Sequence, residues 1–170
     1  VPVNASITGL KRDLFNSTQD NIFSLGSKFN DSIPDLRWVL SSAPDKNDIN
    51  NAMYHVSLNT SNNEQWIMIG GDRLSTNGTS YIDFEFLQNT LVRNNSGGTF
   101  TGSGPAGGRT VNDLLISMEY TNGGVAANVF FYQWKPKAGG GYEFQQFTPP
   151  AGTGFALTNG VNEDVPFGAF

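Results

Sequence analysis

Apolar side chains in this chain recur with a period of two, in short runs broken by turns. The clearest run is Ser80–Leu87. It places Ile82, Phe84 and Phe86 on one side and Tyr81, Asp83 and Glu85 on the other. Successive side chains of a strand point to opposite faces, so strict alternation predicts one buried face and one wet face. No long stretch carries the 3.6-residue period of an amphipathic helix. A chain of this kind must build its core from sheets.

Further runs read as strands at Arg37–Leu40, Tyr54–Leu58, Gln65–Gly70, Asn112–Tyr120, Val125–Trp134 and Tyr142–Thr148. A short one follows around Phe155–Leu157. Asn122-Gly123, between two alternating runs, predicts a hairpin. Pro44 opens a turn-rich segment with room for one helical turn. Residues 1–36 read as polar and irregular, an edge strand plus loops. Asn94–Arg109, rich in Gly, Ser and Thr, reads as loop. The expected fold is all-β: a two-sheet antiparallel β-sandwich, jelly-roll-like, with about eight or nine strands. No linker or repeat divides it, so residues 1–170 are expected to form one domain.

Composition narrows the function. The chain has no cysteine, which excludes disulfides, Cys-based zinc sites and thiol catalysis. Its formal net charge is −5 with no Lys/Arg cluster, which argues against nucleic acid and anionic membranes as partners. No apolar run approaches the roughly 18 residues of a membrane span. Only 15% of residues are charged, and Gly, Asn, Ser and Thr supply the polar surface. That balance suits an extracellular, turn-rich β-protein. No signal peptide is expected within these residues. The end Val165-Pro166-Phe167-Gly168-Ala169-Phe170 reads as part of a longer secreted protein. Six Asn-x-Ser/Thr sequons begin at Asn4, Asn16, Asn30, Asn59, Asn77 and Asn94. They are expected by chance in so Asn-, Ser- and Thr-rich a chain.

Four segments carry a resemblance: Pro44-Asp45-Lys46-Asn47-Asp48-Ile49, Gly70-Gly71-Asp72-Arg73, Asn77–Phe86 and Gly107-Gly108-Arg109-Thr110-Val111-Asn112-Asp113-Leu114-Leu115. With Tyr132-Gln133-Trp134 and the closing Pro166–Phe170, they resemble a largely uncharacterised bacterial domain. It is found in large secreted, multidomain surface proteins, often of gliding bacteria with type IX secretion. The likeness spans most of residues 28–170. It implies secretion and a modular, surface-associated role, and it brings no functional residues with it.

The candidate site residues are few. Asp83 and Glu85 share one strand face, their Cβ atoms about 7 Å apart. Concanavalin-like folds place two acidic metal ligands two apart on a strand, with an Asn four residues on. Asp83, Glu85 and Asn89 resemble that spacing, with the acids in swapped order and no His nearby. Asp45 and Asp48 add oxygen ligands in a turn. Such hard donors suit Ca²⁺. The bland alternatives are solvated strand residues paired with Arg73 or Arg93, and a helix cap. The same pair invites a glycosidase reading, since laminarinase-type jelly rolls carry Glu-x-Asp-x-x-Glu. Tyr81 stands where the leading Glu belongs, which breaks the pattern, and a non-enzymatic role is expected.

Asp72-Arg73, at a strand end, can hold a loop or contact a ligand. Trp134 and Tyr132, two apart on one strand, are the best aromatic platform for a sugar. Trp38 and Trp66 read as core. His55, the single histidine, reads as a plain strand residue. Three roles are thereby expected, in falling order. The first is a non-catalytic, Ca²⁺-stabilised structural or adhesive module of a secreted or cell-surface protein, contacting neighbouring domains. The second is a carbohydrate-binding module. The third is a glycoside hydrolase-like enzyme using Asp83 and Glu85.

Overall fold

The structure is a computed structural model, and it describes residues 8–24, 28–59, 61–121, 126–154 and 158. The first strands are β1 (Thr8–Arg12), β2 (Asp20–Ser24), β3 (Arg37–Ser41), β4 (Asn51–Asn59) and β5 (Glu64–Gly71). They are followed by β6 (Ser80–Phe86), β7 (Leu91–Asn94), β8 (Thr99–Gly102), β9 (Leu114–Thr121), β10 (Ala126–Pro136) and β11 (Tyr142–Phe147). Single turns of 3₁₀ helix occupy Ile33–Asp35 and Asp45–Asn47.

The eleven strands among the described residues form three antiparallel sheets: β1-β4-β5, β2-β3-β8-β7 and β11-β10-β9-β6. The fold is therefore all-β. It departs from the expected two-sheet arrangement of about eight or nine strands in three places. Residues 1–36, expected to hold one edge strand plus loops, hold two edge strands, Thr8–Arg12 and Asp20–Ser24, although neither alternates. Each is fixed by its partner: Leu10 lies opposite Met53, and Phe23 opposite Trp38. The Gly-rich stretch after Asn94 contains β8, paired to β7 across a four-residue turn. The β4–β5 hairpin joins β1 instead of β6, which makes a separate three-stranded sheet. The expected strand near Phe155–Leu157, the Asn122-Gly123 turn and the closing Pro166–Phe170 lie outside the described residues.

Register assigns the faces. On the four-stranded sheet that ends in β6, Ile82 lies opposite Met118 and Phe84 opposite Ile116. Glu85 lies opposite Leu115, Leu115 opposite Tyr132, and Trp134 opposite Phe144. Glu85, Leu115, Tyr132, Trp134 and Phe144 thus share one face.

That face holds the buried cluster Ala106, Leu115, Trp134 and Phe144, with Phe29, Val111, Tyr132 and Tyr142 packed against it. The Ile82–Phe84–Phe86 side is only partly core: Ile82 is buried, while Phe84 and Phe86 are half-buried. The acidic side of β6 is not simply wet, because its Glu85 end borders the main core.

Candidate functional site

Arg109 organises the chemistry at that end of β6. It follows a Gly-rich connection in which Gly104 pairs with Gly108 and Ala106 with Arg109. The tight turn folds the guanidinium inward, where it is 2% exposed. There it forms a two-pronged ion pair with Glu85 and donates to the Asp31 carbonyl, Nη1 to O, at 2.6 Å. Its flat face lies 4.6 Å from the Trp134 ring centroid and 5.1 Å from that of Phe144. Burial of a guanidinium is tolerated when a carboxylate and carbonyls take up its donors. This is a structural node, and it commits Glu85.

The other expected metal ligands do not join it. Asp83 is exposed on the same face of β6. Asn89 donates through Nδ2 to Thr110 Oγ1. Asp45 is exposed at the start of its 3₁₀ turn, whereas Asp48 is buried beyond it. No three His, Cys, Asp or Glu side chains among the described residues are placed to hold a metal ion by themselves. The expected set is thus spread over separate places instead of forming one centre.

Trp134 is 0% exposed. Tyr142 stacks on it at 6.1 Å, Arg109 covers it, and its indole N–H donates to the Ala106 carbonyl at 2.8 Å. A ring so covered offers no face to a sugar. Tyr132 is half-buried under the edge of Phe29, with centroids 4.9 Å apart. Burial first, then Asp83 and Glu119, raises its phenol pKa. Tyr81 donates to Glu119 at 2.6 Å, and that bond raises Tyr81 as well.

Asp72 and Arg73 act apart from each other. Asp72 accepts from the Asn50 and Asn51 amides and from Asn51 Nδ2, which fixes the start of β4. Arg73 donates to Ser80 Oγ and lies 4.3 Å from the Tyr120 ring centroid. Arg73 thus ties the end of β5 to β6 and β9, while the bonds of Asp72 stay within the first sheet. Trp66, expected in the core, is 36% exposed on β5. His55 is a buried strand residue within 2.8 Å of Thr8 Oγ1.

A concave surface lies elsewhere among the described residues. An open groove of about 700 Å³ separates β6 from the first sheet. Its floor is Tyr54 and Val56 of β4 with Ile67 and Ile69 of β5, and Leu10 and Lys11 of β1 border it. The facing wall is Asp83–Phe86 of β6, whose outer side pairs with no strand among the described residues. The floor is apolar because β4 and β5 alternate in register: Tyr54 opposes Ile69 and Val56 opposes Ile67. Ile67 and Tyr54 remain 54% and 49% exposed.

Sequence reading missed three groups. Arg109 sat in a stretch read as loop; its signal was a lone cation after paired glycines. Asp113 closes a turn, its amide donating to the Thr110 carbonyl, but its burial went unread: it is 1% exposed and accepts from the amides of Gln88 and Thr110. Asp13 and Asp20 fell in the segment read as irregular, and no motif marks them. Neither a protein-family model, a curated protein nor a solved structure matches the chain.

Proposed function

We propose that the chain is a non-catalytic structural or adhesive module of a bacterial cell-surface or secreted protein. Its ligand is a protein segment, supplied by a neighbouring domain or a partner. The observation that carries this reading is the groove between β6 and the first sheet. Its floor is apolar, and one wall is the outer edge of a strand. An extended segment can add to such an edge through main-chain hydrogen bonds, with alternate side chains meeting the floor. Asp83 at the wall favours a basic residue at the segment's flank. The extracellular setting is supported by the Cys-free, weakly charged, Gly- and Asn-rich composition.

The acids at the wall do not favour hydrolysis. Retaining glycosidases set two carboxyls on opposite sides of the scissile bond. Asp83 and Glu85 share one strand face, and Glu85 is bound to Arg109. A sugar platform is disfavoured because Trp134 is covered.

The test presents the protein to a glycan array and to a panel of extended peptides with alternating apolar positions. Peptides should be retained, and Ile67→Lys should lose them while keeping the wild-type melting curve. Glycan binding without peptide binding would overturn the reading.

A further inference from the structure

Away from the groove, a second group of acids converges where the β1–β2 loop, residues 13–19, lies against residues 48–50. The backbone fastens the two segments together: the Asp13 amide donates to the Asn50 carbonyl at 2.8 Å. Asp48 points into the loop, and its Oδ2 accepts from the Asn16 amide at 2.8 Å. Asn16 holds a left-handed backbone, φ 52°, which Asn tolerates better than most residues. Asp48 is 1% exposed, and its second oxygen, Oδ1, has no hydrogen-bond partner among the described residues. Asp20, at the far end of the same loop, is 4% exposed.

A carboxylate removed from water needs a partner for each oxygen or a compensating charge. The ion pairs among the described residues are Arg109–Glu85 and Lys137–Glu143, and neither reaches this group. Asp48 and Asp20 are thus both withdrawn from water at the two ends of one contact between the β1–β2 loop and residues 48–50. Buried like charges with an orphan oxygen and no cationic side chain are what a bound cation relieves.

We propose that Asp48 and Asp20, with oxygens of the loop Asp13–Gln19, form a divalent-cation site of the calcium class. All the available donors are hard oxygens, which excludes a preference for soft transition metals. Three side chains do not enclose the site on their own. Calcium accepts six to eight oxygens and takes backbone carbonyls and water alongside carboxylates. Two buried carboxylates, the carbonyls of the loop and exposed Asp13 meet that need. The site is independent of the groove: it fastens the β1–β2 connection to the turn that precedes β4.

The experiment uses the full chain, stripped of metal by chelating resin, in thermal melts with CaCl₂ or EDTA. Calcium at about a hundred times its Kd should raise the Tm by roughly 5–10 °C. Asp48→Asn should fold in EDTA with at least the wild-type Tm and lose the calcium response. Asp20→Asn gives a second reading should Asp48→Asn not fold, and Asp83→Asn should keep the full response. Equal Tm in calcium and EDTA overturns the site. So does a calcium response retained in both Asp48→Asn and Asp20→Asn, or stability that rises only on acidification, the signature of a shared proton instead of a metal.

Discussion

At the scale of single residues, Arg109 shows how a charge can be structural. Its donors are taken by Glu85 and the Asp31 carbonyl, and its face by Trp134 and Phe144. Removing one member of a buried pair leaves the other uncompensated. Glu85→Gln is expected to lose about 2–3 kcal/mol, below the fully buried range because the Glu85 side chain is 26% exposed. In denaturation at pH 7 this is a Tm drop of roughly 5–10 °C. Asp83→Asn, two residues away and exposed, should stay within about 0.5 kcal/mol. Similar losses for both would show that Arg109 does not depend on Glu85.

Asp20 makes a pH prediction of definite sign. Its folded pKa is raised from 3.8. The native state therefore holds its proton where the unfolded chain has released it. The stability from this group is complete below 3.8 and is lost as pH rises through the folded value. In EDTA, Asp20→Asn removes that loss. The variant should gain on wild type as pH rises above 3.8, until Asp20 is ionised in the folded state, and then run parallel to it. A constant difference across that range would contradict a raised Asp20.

At the scale of elements, the connection from β8 to β9 depends on close backbone approach. A Cβ added at Gly104 would lie 2.3 Å from the carbonyl of Arg109, with no side chain able to yield. Gly108 has φ 85°, and its added Cβ would meet Ile33 Cβ at 2.6 Å. Gly104→Ala should cost about 2–3 kcal/mol, since the backbone around Arg109 must move. Gly139 has nothing within 4 Å of its added Cβ, so Gly139→Ala carries only the strain of its positive φ. Urea midpoints order the two substitutions. A Gly139→Ala variant that is the more damaged of the pair would refute the steric account.

The same element explains what the sequence could reveal. Strands with their own alternation, such as β4, β5, β6, β9 and β10, were legible within a few residues, because burial of one face is written in period two. β8 was not, and in residues 1–36 an edge strand was expected but neither the position of β1 nor that of β2 could be read. Thr-Gly-Leu-Lys-Arg and Thr-Phe-Thr-Gly become strands only through their partners, a tertiary effect that local pattern does not record. Sheet membership was illegible for the same reason. The β4–β5 hairpin has two apolar edges, and nothing local says that β1, not β6, takes one of them. Asp83 and Glu85 were visible as a pair. Arg109, which decides what Glu85 can do, comes from 24 residues away.

At the scale of the whole molecule, burial is uneven. The fully buried cluster sits on the sheet that ends in β6, around Trp134. The β1–β4–β5 sheet leaves Leu10, Tyr54, Leu58, Ile67 and Met68 about half exposed or more. Hydrogen exchange opens first where apolar contacts are few. Amides of β9 and β10, central strands with partners on both sides, should exchange slowest, and those of β5, a sheet edge, fastest among the long strands. If an extended segment occupies the groove, it should slow exchange in β6 through new main-chain bonds, and in β4 and β5 through covered floor residues. Protection gained in β6 alone would indicate strand addition without use of the apolar floor. Protection confined to β9 and β10 would place the contact outside the groove and remove the groove from the account. The pattern of slowed amides therefore distinguishes a segment bound in the groove from one bound anywhere else on the three sheets.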